Sequence, residues 1–588
     1  MIYFNMYSMK HCCSKVLALF IVMLYASSAF SQDHEILPKK LTEAENGILS
    51  QYEFKNSRLS DPPTGPVRTA AEWEEVEYLV VTWQSGFQGI LRQIVAAGVA
   101  ECKVIITTQN EPSVSNYLTA GGVDLTNVIF MNTPWDSIWI RDYGGNTIYS
   151  DDVGERAITD WIYNRPRPND DVVPSAHALQ TDIPIYVTDS GINDLVNTGG
   201  NFMSDGLGNA FASSLILNEN ELGNPYGVSA KTEAQIDGIM EAYMGISNYI
   251  KMETLPYDVI HHIDMHMKLL DEETLLVSRY PNGVADGPQI EANIDYVLSN
   301  FQSVFGTPYD VKWIDAPPST SGNYPDSGGY YRTFSNSVII NKTILVPTYR
   351  PEVDAAALAY YEELMPGYNI VGIDVDNPGE NLISLLGALH CITHTIGVAD
   401  PLLIVHQAID SALQSSVVTV EAMIKHVSGV NTAKVFWREV GATAFNETTM
   451  SFVSDDIWAA DLNIAGSNVE YYIWAEANSG KSLTRPIVAP DGYWTIEVEL
   501  LSIEDWAHNH ISAPYPNPAR DNVSFNLNNI AGPISISIHN LLGQELFATE
   551  LDNGNGIVKL NLNDDWNGTL FITFEGDFGI VHKKIIKL

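Results

Sequence analysis

From about residue 62 to residue 401 the apolar positions follow two alternating periods. Residues 77–83 (EYLVVTW) are a short, nearly continuous run of β-branched and aromatic side chains, which predicts a strand. Residues 87–97 place their apolar positions three and four apart and predict an amphipathic helix, while 102–107 and 128–131 predict two more strands. Similar units recur toward Cys391, separated by Gly-rich or polar loops that carry nearly all the unusual residues. The fold class expected for 62–401 is therefore α/β.

Beyond about residue 402 the pattern changes to short strands with turn signals and almost no helix. Runs at 416–425, 433–438, 449–453, 469–476 and 493–499 are spaced as in an immunoglobulin-like β-sandwich, assigned to 402–505. A second all-β unit, 512–588, follows the Tyr515-Pro516-Asn517-Pro518-Ala519 entry, with strands expected at 523–527, 534–540 and 569–574. At the other end, Lys10 and Lys15 precede an apolar run (VLALFIVMLYA) and a small-x-small site at Ala29-Phe30-Ser31, so residues 1–31 read as a secretory signal peptide. Residues 32–61 are left as an N-terminal segment or propeptide. No later apolar run approaches the ~20 residues of a membrane-spanning helix.

Charge narrows the partners. With 31 Lys+Arg against 72 Asp+Glu the net charge is −41; two lysines and no acids leave with the signal peptide, making it −43. Nucleic acid and anionic membranes are excluded as partners, since either needs a counter-charged surface; cationic substrates fit better. Only Cys102 and Cys391 remain after the leader is lost, too few and too far apart for a disulfide scaffold. Cys102 begins a strand-like run and reads as a small buried hydrophobe. Cys391 lies between His390 and His394 and is a candidate nucleophile, or else an inert or metal-bound thiol.

Three further polar clusters lie in the α/β region. In Trp139-Ile140-Arg141-Asp142-Tyr143-Gly144 a carboxylate sits among an Arg, aromatics and a Gly. In His261-His262-Ile263-Asp264-Met265-His266-Met267 a strand would place His262, Asp264 and His266 on one face and Met265 and Met267 on the other. That face offers three metal ligands, or equally a general acid/base and a cation clamp. Asn336, in Ser335-Asn336-Ser337, stands just ahead of an apolar strand. Gly199-Gly200-Asn201 reads as a tight turn at the rim of the site.

Taken in order, Trp-x-Arg-Asp-Tyr-Gly, Thr198-Gly199-Gly200-Asn201-Phe202, His-x-Asp-Met, Ser-Asn-Ser and Ala-Leu-His-Cys resemble the Porphyromonas-type peptidyl-arginine deiminases, relatives of agmatine deiminases in the pentein superfamily. The resemblance covers roughly 62–401 and implies a five-bladed α/β propeller with a central site. The Tyr-Pro-Asn-Pro-Ala entry, the Leu541-Leu542-Gly543-Gln544-Glu545 turn and the terminal Lys-Lys-Ile-Ile-Lys-Leu resemble the type IX secretion C-terminal sorting domain of Bacteroidetes proteins. That implies type IX secretion machinery as a partner and a secreted or outer-membrane-associated product.

The chemistry follows from the residues. A guanidinium is planar, permanently charged and resonance-stabilised, so its hydrolysis needs a strong nucleophile and a grip on the cation. Asp142 and Asp264 supply the grip in fork geometry, Trp139 packs over the cation, and Cys391 attacks its central carbon. His262 protonates the departing ammonia and then activates the water that resolves the thiouronium, while Asn336 orients the thiol or substrate. Carboxylates beside Cys391 raise its pKa, so the thiolate forms as the cationic substrate arrives. No cofactor and no metal are required, and no contiguous EF-hand loop calls for calcium.

Arg165 and Arg167 alternate with prolines in Asn164-Arg165-Pro166-Arg167-Pro168, so both guanidiniums can face one way. In the resembled family such a pair binds the free carboxylate of a C-terminal arginine. Its bland reading is a loop paired with Asp170 and Asp171. The expected function is hydrolysis of arginine in peptides or proteins, preferably C-terminal, to citrulline and ammonia. Agmatine deiminase, a zinc hydrolase using the surplus histidines, and a non-catalytic adhesion protein on the same scaffold are the alternatives.

Overall fold

The structure is a computed structural model and describes residues 35–54, 61–189, 191–499, 510–530, 532–552, 554–576 and 578–588. The expected leader, 1–31, and the junction at 500–509 lie outside the described residues.

The first predicted strand is Val76–Thr82, and Leu79, Val80 and Val81 are wholly buried, each contributing about 1.5–3 kcal/mol on burial. Burial on both faces explains the continuous apolar run, as in a parallel sheet covered by helices. The helix Gln88–Glu101 carries the chain to the parallel strand Lys103–Thr107, and Val128–Met131 adds on the far side. Cys102 sits half-buried where this helix ends, its N–H bonded to Gly98 O, rather than inside the strand.

The same unit recurs. Helix Val173–Thr181 links Arg156–Tyr163 to Ile185–Thr188, and Glu233–Met244 links Asn209–Ser213 to Asn248–Met252. Gly287–Asn300 joins Thr274–Arg279 to Asp310–Asp315, and Pro351–Leu364 joins Thr343–Thr348 to Asn369–Asp374. Every such strand pair is parallel, as a helical crossover requires. Local signals set the helix ends: Thr232 and Gln235 form a reciprocal capping box, and Gly245 ends that helix at φ +69°.

Among the described residues five sheets of this kind lie between residues 67 and 397, each with a short strand antiparallel to the first strand of the parallel pair; in four of them the short strand comes just ahead of it in sequence. The last of these short strands, His394–Gly397, returns to the start of the chain and pairs with Val76–Thr82, placing His394 opposite Val80.

The C-terminal region is β-rich. Strands Leu403–Val405, Val417–Lys425, Ile457–Asn463 and Ser451–Ser454 form one sheet, and Val430–Glu439 and Val469–Ala477 lie in another. Val420, Ile424, Val435 and Ile473 pack between them. The run expected at 449–453 is split into Asn446–Thr449 and Ser451–Ser454. A separate core around Phe525, Ile536 and Phe574 holds the last unit, where Gly568–Gly576 and the terminal Gly579–Lys587 form a long hairpin. Among the described residues no helix is long and apolar enough to cross a membrane.

Candidate active site

The five sheets present their chemistry from equivalent places. Asp142 precedes the short strand Asn146–Ser150, Gly200 precedes Met203–Ser204, Asp264 precedes Met267–Leu269, Asn336 precedes Val338–Ile340, and Cys391 precedes His394–Gly397. Four of these approach loops are single tight turns: Ile140–Tyr143, Gly199–Asn201, Ile263–Met265 and His390–Ile392. Residues from four loops meet at the Cys391 thiol or the cation held against it.

The second and third turns each correct an expectation. Gly199–Asn201 is buried within the site rather than at its rim. The stretch 262–266 is not a strand: Ile263–Met265 is a 3-10 turn, so side chains separate by about 120° instead of alternating. His262 and Asp264 both reach the site, whereas His266 turns away to Asp258 Oδ2 at 3.2 Å and to the Tyr331 ring. Met265, expected opposite, has its sulfur 3.9 Å from Cys391 Sγ. Asp258 is a carboxylate and Tyr331 an aromatic, so His266 is absorbed by packing and polar contact outside the site.

Around the thiol, Asp264 Oδ2 lies 3.5 Å from Cys391 Sγ and 2.9 Å from His390 Nδ1. The other nitrogen of His390, Nε2, is 2.9 Å from Glu72 Oε2, and Glu72 also binds Lys268. A buried chain of polar contacts, from Asp264 through His390 and Glu72 to Lys268, therefore fixes Asp264 from behind. Asn336 Nδ2 donates to Asp264 O at 2.9 Å and lies 3.3 Å from Sγ, while Asn336 Oδ1 accepts from His390 N at 3.1 Å. Burial, then the Asp264 charge, push the Cys391 thiol up to about 12, only partly opposed by Lys39. At neutral pH it is a thiol.

Across the site, His262 Nδ1 lies 3.3 Å from Asp142 Oδ1, and His262 Nε2 lies 3.1 Å from Thr198 Oγ1. Burial, together with the Lys39 charge, holds His262 below its ordinary value, so it rests neutral and able to accept a proton. Gly200 makes this pair possible. A Cβ there would stand 2.4 Å from His262 Nδ1 and 2.8 Å from Asp142 Oδ1. Gly200→Ala is expected to displace the imidazole and lower kcat at least about tenfold, with the far-ultraviolet spectrum of the fold unchanged; an unaltered kcat would remove His262 from the reaction.

The substrate-binding candidates meet an occupant that the sequence reading missed. Lys39, from the N-terminal segment, is wholly buried with Nζ 2.9 Å from Cys391 Sγ, 3.6 Å from Asp264 Oδ1 and 3.8 Å from Asp142 Oδ1. Burial alone would depress this ammonium, but Asp142, Asp264 and Cys391 together hold it above its ordinary value. Trp139 Nε1 donates to Leu37 O at 2.9 Å, and Arg165 Nε donates to Lys39 O at 3.1 Å. Arg167 reaches Glu45 Oε1 at 2.7 Å and Pro38 O at 2.8 Å. The two Arg side chains thus face one segment, as their spacing implies, and Asp170 instead accepts from Ser137 Oγ and the N–H groups of Asp136 and Ser137.

The sequence reading also missed Glu72 and Lys268, named Thr198 only as part of a motif, and treated His390 as surplus. The signal for Lys39 was present: a Lys-Lys pair in a very acidic chain, shortly after the expected leader. His394 Nε2 bonds Gly145 O at 2.7 Å, and burial pushes it down to about 3. Among the described residues no group of three or more His, Cys, Asp and Glu side chains is placed to hold a metal ion. His390 and His394 thus have structural partners of their own.

A buried thiol thus faces a cation flanked by two buried carboxylates. The chain belongs to the Porphyromonas-type peptidyl-arginine deiminase family, whose model matches residues 68–396, and so to hydrolases of carbon–nitrogen bonds in amidines. Residues 513–588 match the secretion system C-terminal sorting domain, which marks an exported protein. Putative agmatine deiminases of Yersinia pestis and Yersinia pseudotuberculosis are 24% identical over 300 residues, spanning 46% of this chain and 78% of theirs. Among solved structures, an agmatine deiminase of C. jejuni matches at 20% identity and TM-score 0.47, over 58% of this chain and 99% of its own. A putative arginine deiminase of Porphyromonas gingivalis matches at 20% identity and TM-score 0.47, over 56% and 98%.

Proposed function

We propose that this exported hydrolase converts arginine in peptides, preferably at the C-terminus, to citrulline and ammonia through a covalent bond to Cys391. The observation that carries the reading is the ammonium of Lys39 held 2.9 Å from Cys391 Sγ and flanked by Asp142 and Asp264, because the site binds a cation where the nucleophile must meet its carbon.

A guanidinium in that place has its N–H groups turned to Asp142 and Asp264 and its central carbon toward Sγ, with Trp139 packed over it. Cys391 gives its proton to the neutral His262 as the cation arrives, and Sγ bonds to the central carbon. The bond from that carbon to one terminal nitrogen breaks, and the nitrogen leaves as ammonia with the proton from His262. Water then loses a proton to His262, its oxygen bonds to the same carbon, and the carbon–sulfur bond breaks to regenerate the thiol and release the ureido product. Asn336, 3.3 Å from Sγ, orients the thiol.

Arg165 and Arg167 favour a substrate bearing carbonyls and a carboxylate over agmatine, which has neither. Arg165 takes the carbonyl of the very residue whose cation fills the site, and Arg167 already binds the carboxylate of Glu45. The five sheets and the pairing of His394–Gly397 with Val76–Thr82 support a closed five-bladed propeller over 62–401. The two packed sheets that follow support the immunoglobulin-like sandwich over 402–505, and the core around Phe525 supports the separate sorting domain over 512–588.

The test is citrulline release by the chain carrying Lys39→Ala, which vacates the cation site, on a C-terminal-Arg peptide, its amide, an internal-Arg peptide and agmatine. The free carboxylate is expected to raise kcat/KM about 10- to 100-fold over the amide, the worth of one charged hydrogen-bond pair. A preference for agmatine would transfer the chain to the agmatine reading, and tight binding with no turnover of any would favour an adhesion protein.

A further inference from the structure

We propose that residues 37–45 are a built-in pseudosubstrate, in which Lys39 occupies the arginine pocket and keeps Cys391 from substrate until the segment is displaced or cut away. This rests on the deiminase reading for its substrate, but its evidence is the geometry of the segment.

Lysine and arginine share a chain length up to the fifth heavy atom of the side chain, which is Nζ in one and the guanidinium carbon in the other. Lys39 Nζ therefore marks where the carbon under attack would lie, and it stands 2.9 Å from Sγ. It carries the charge that Asp142 and Asp264 seek but no carbon for the thiol to attack, so it fills the site without being consumed. An ammonium buried this deeply is costly unless fully compensated. Here the compensation comes from the two carboxylates and the thiol of the reaction.

The main chain is held like a bound peptide. Lys39 N donates to Leu385 O at 3.0 Å, Lys39 O accepts from Arg165 at 3.1 Å, and the carbonyls of Leu37, Pro38 and Lys40 accept from Trp139 and Arg167. The chain then turns into the helix Glu43–Ile48, where Glu45 serves twice. It closes the capping box with Thr42, accepting from Thr42 N at 2.7 Å, and it pairs with Arg167 at 2.7 Å. Beyond the helix, Phe54 packs against Tyr226 in a small apolar cluster with Ile162 and Val196. Because the segment is covalently attached, its local concentration at the site is of millimolar order and free substrate must outcompete it.

Three full-length chains test this: the wild type, Lys39→Ala and Lys39→Arg. Lys39→Ala is expected to raise kcat/KM on an added arginine peptide by about 10²-fold or more, and to speed amide hydrogen exchange across 37–45. The Lys39→Arg chain is expected to convert its own side chain at position 39 to citrulline, seen by peptide mapping and absent when Cys391→Ala is added. A wild type as active as Lys39→Ala, or exchange across 37–45 unchanged by Lys39→Ala, would overturn the proposal. So would a Lys39→Arg chain left unmodified at position 39 while the Lys39→Ala chain is active. If exchange accelerates but no variant yields citrulline, the deiminase reading falls while the segment stands as the occupant of the site.

Discussion

Asp264→Asn, measured in the chain carrying Lys39→Ala, is expected to lower kcat/KM on arginine peptides by about 10²- to 10³-fold, the cost of losing one member of a buried charge pair. Asp264 does three jobs at once: Oδ1 faces the cation at 3.6 Å, Oδ2 meets His390 at 2.9 Å, and the same oxygen lies 3.5 Å from the thiol. The substitution keeps the shape and removes the charge. Because the Asp264 charge helps push the Cys391 thiol up to about 12, its loss eases ionisation of the thiol. Alkylation of Cys391 at a fixed pH should therefore quicken while turnover falls. A residue that merely held the fold together would not move the two rates in opposite directions. Turnover within about tenfold of the parent would show that Asp142 alone suffices to hold the substrate.

Much of this was legible in the chain because two kinds of signal are local. Strand Val76–Thr82 and helix Gln88–Glu101 follow the apolar periods to within a few residues, since burial of those faces is what forms the elements. Asp142, His262, Asp264, Asn336 and Cys391 stood out because charged or polar residues ahead of apolar strands need a reason. Their convergence is not local. The unit of one short antiparallel strand, a parallel pair and a helix occurs five times, and each copy places its loop at the same end, yet the copies share little sequence that would announce it.

Periodicity also misled where a tight turn replaced a strand. In 262–266 the alternation of His, Asp and His was real, but Ile263–Met265 closes a 3-10 turn and sends His266 to Asp258. Lys39 was the hardest to see. The Lys39-Lys40 pair stands out in so acidic a chain, but its partner lies 352 positions away and only the folded chain brings Nζ to Sγ. Arg165 and Arg167 were read as carboxylate binders from their spacing and the family resemblance. In the structure Arg165 binds the backbone carbonyl of residue 39 and Arg167 the carboxylate of Glu45, so both partners are supplied by the protein itself.

The largest effect belongs to Cys391. Without Sγ there is no covalent route, and binding by Asp142, Asp264, Arg165 and Arg167 remains, so Cys391→Ala should cost at least about 10⁴-fold in kcat while the peptide still binds. Cys102, half-buried at the end of its helix, serves as the control cysteine. The decisive measurement is citrulline and ammonia released from a C-terminal-Arg peptide by the Lys39→Ala chain, with and without Cys391→Ala, in EDTA throughout. One ammonia per citrulline from the first chain and neither from the second is the predicted result; citrulline formed at comparable rates by both would contradict it.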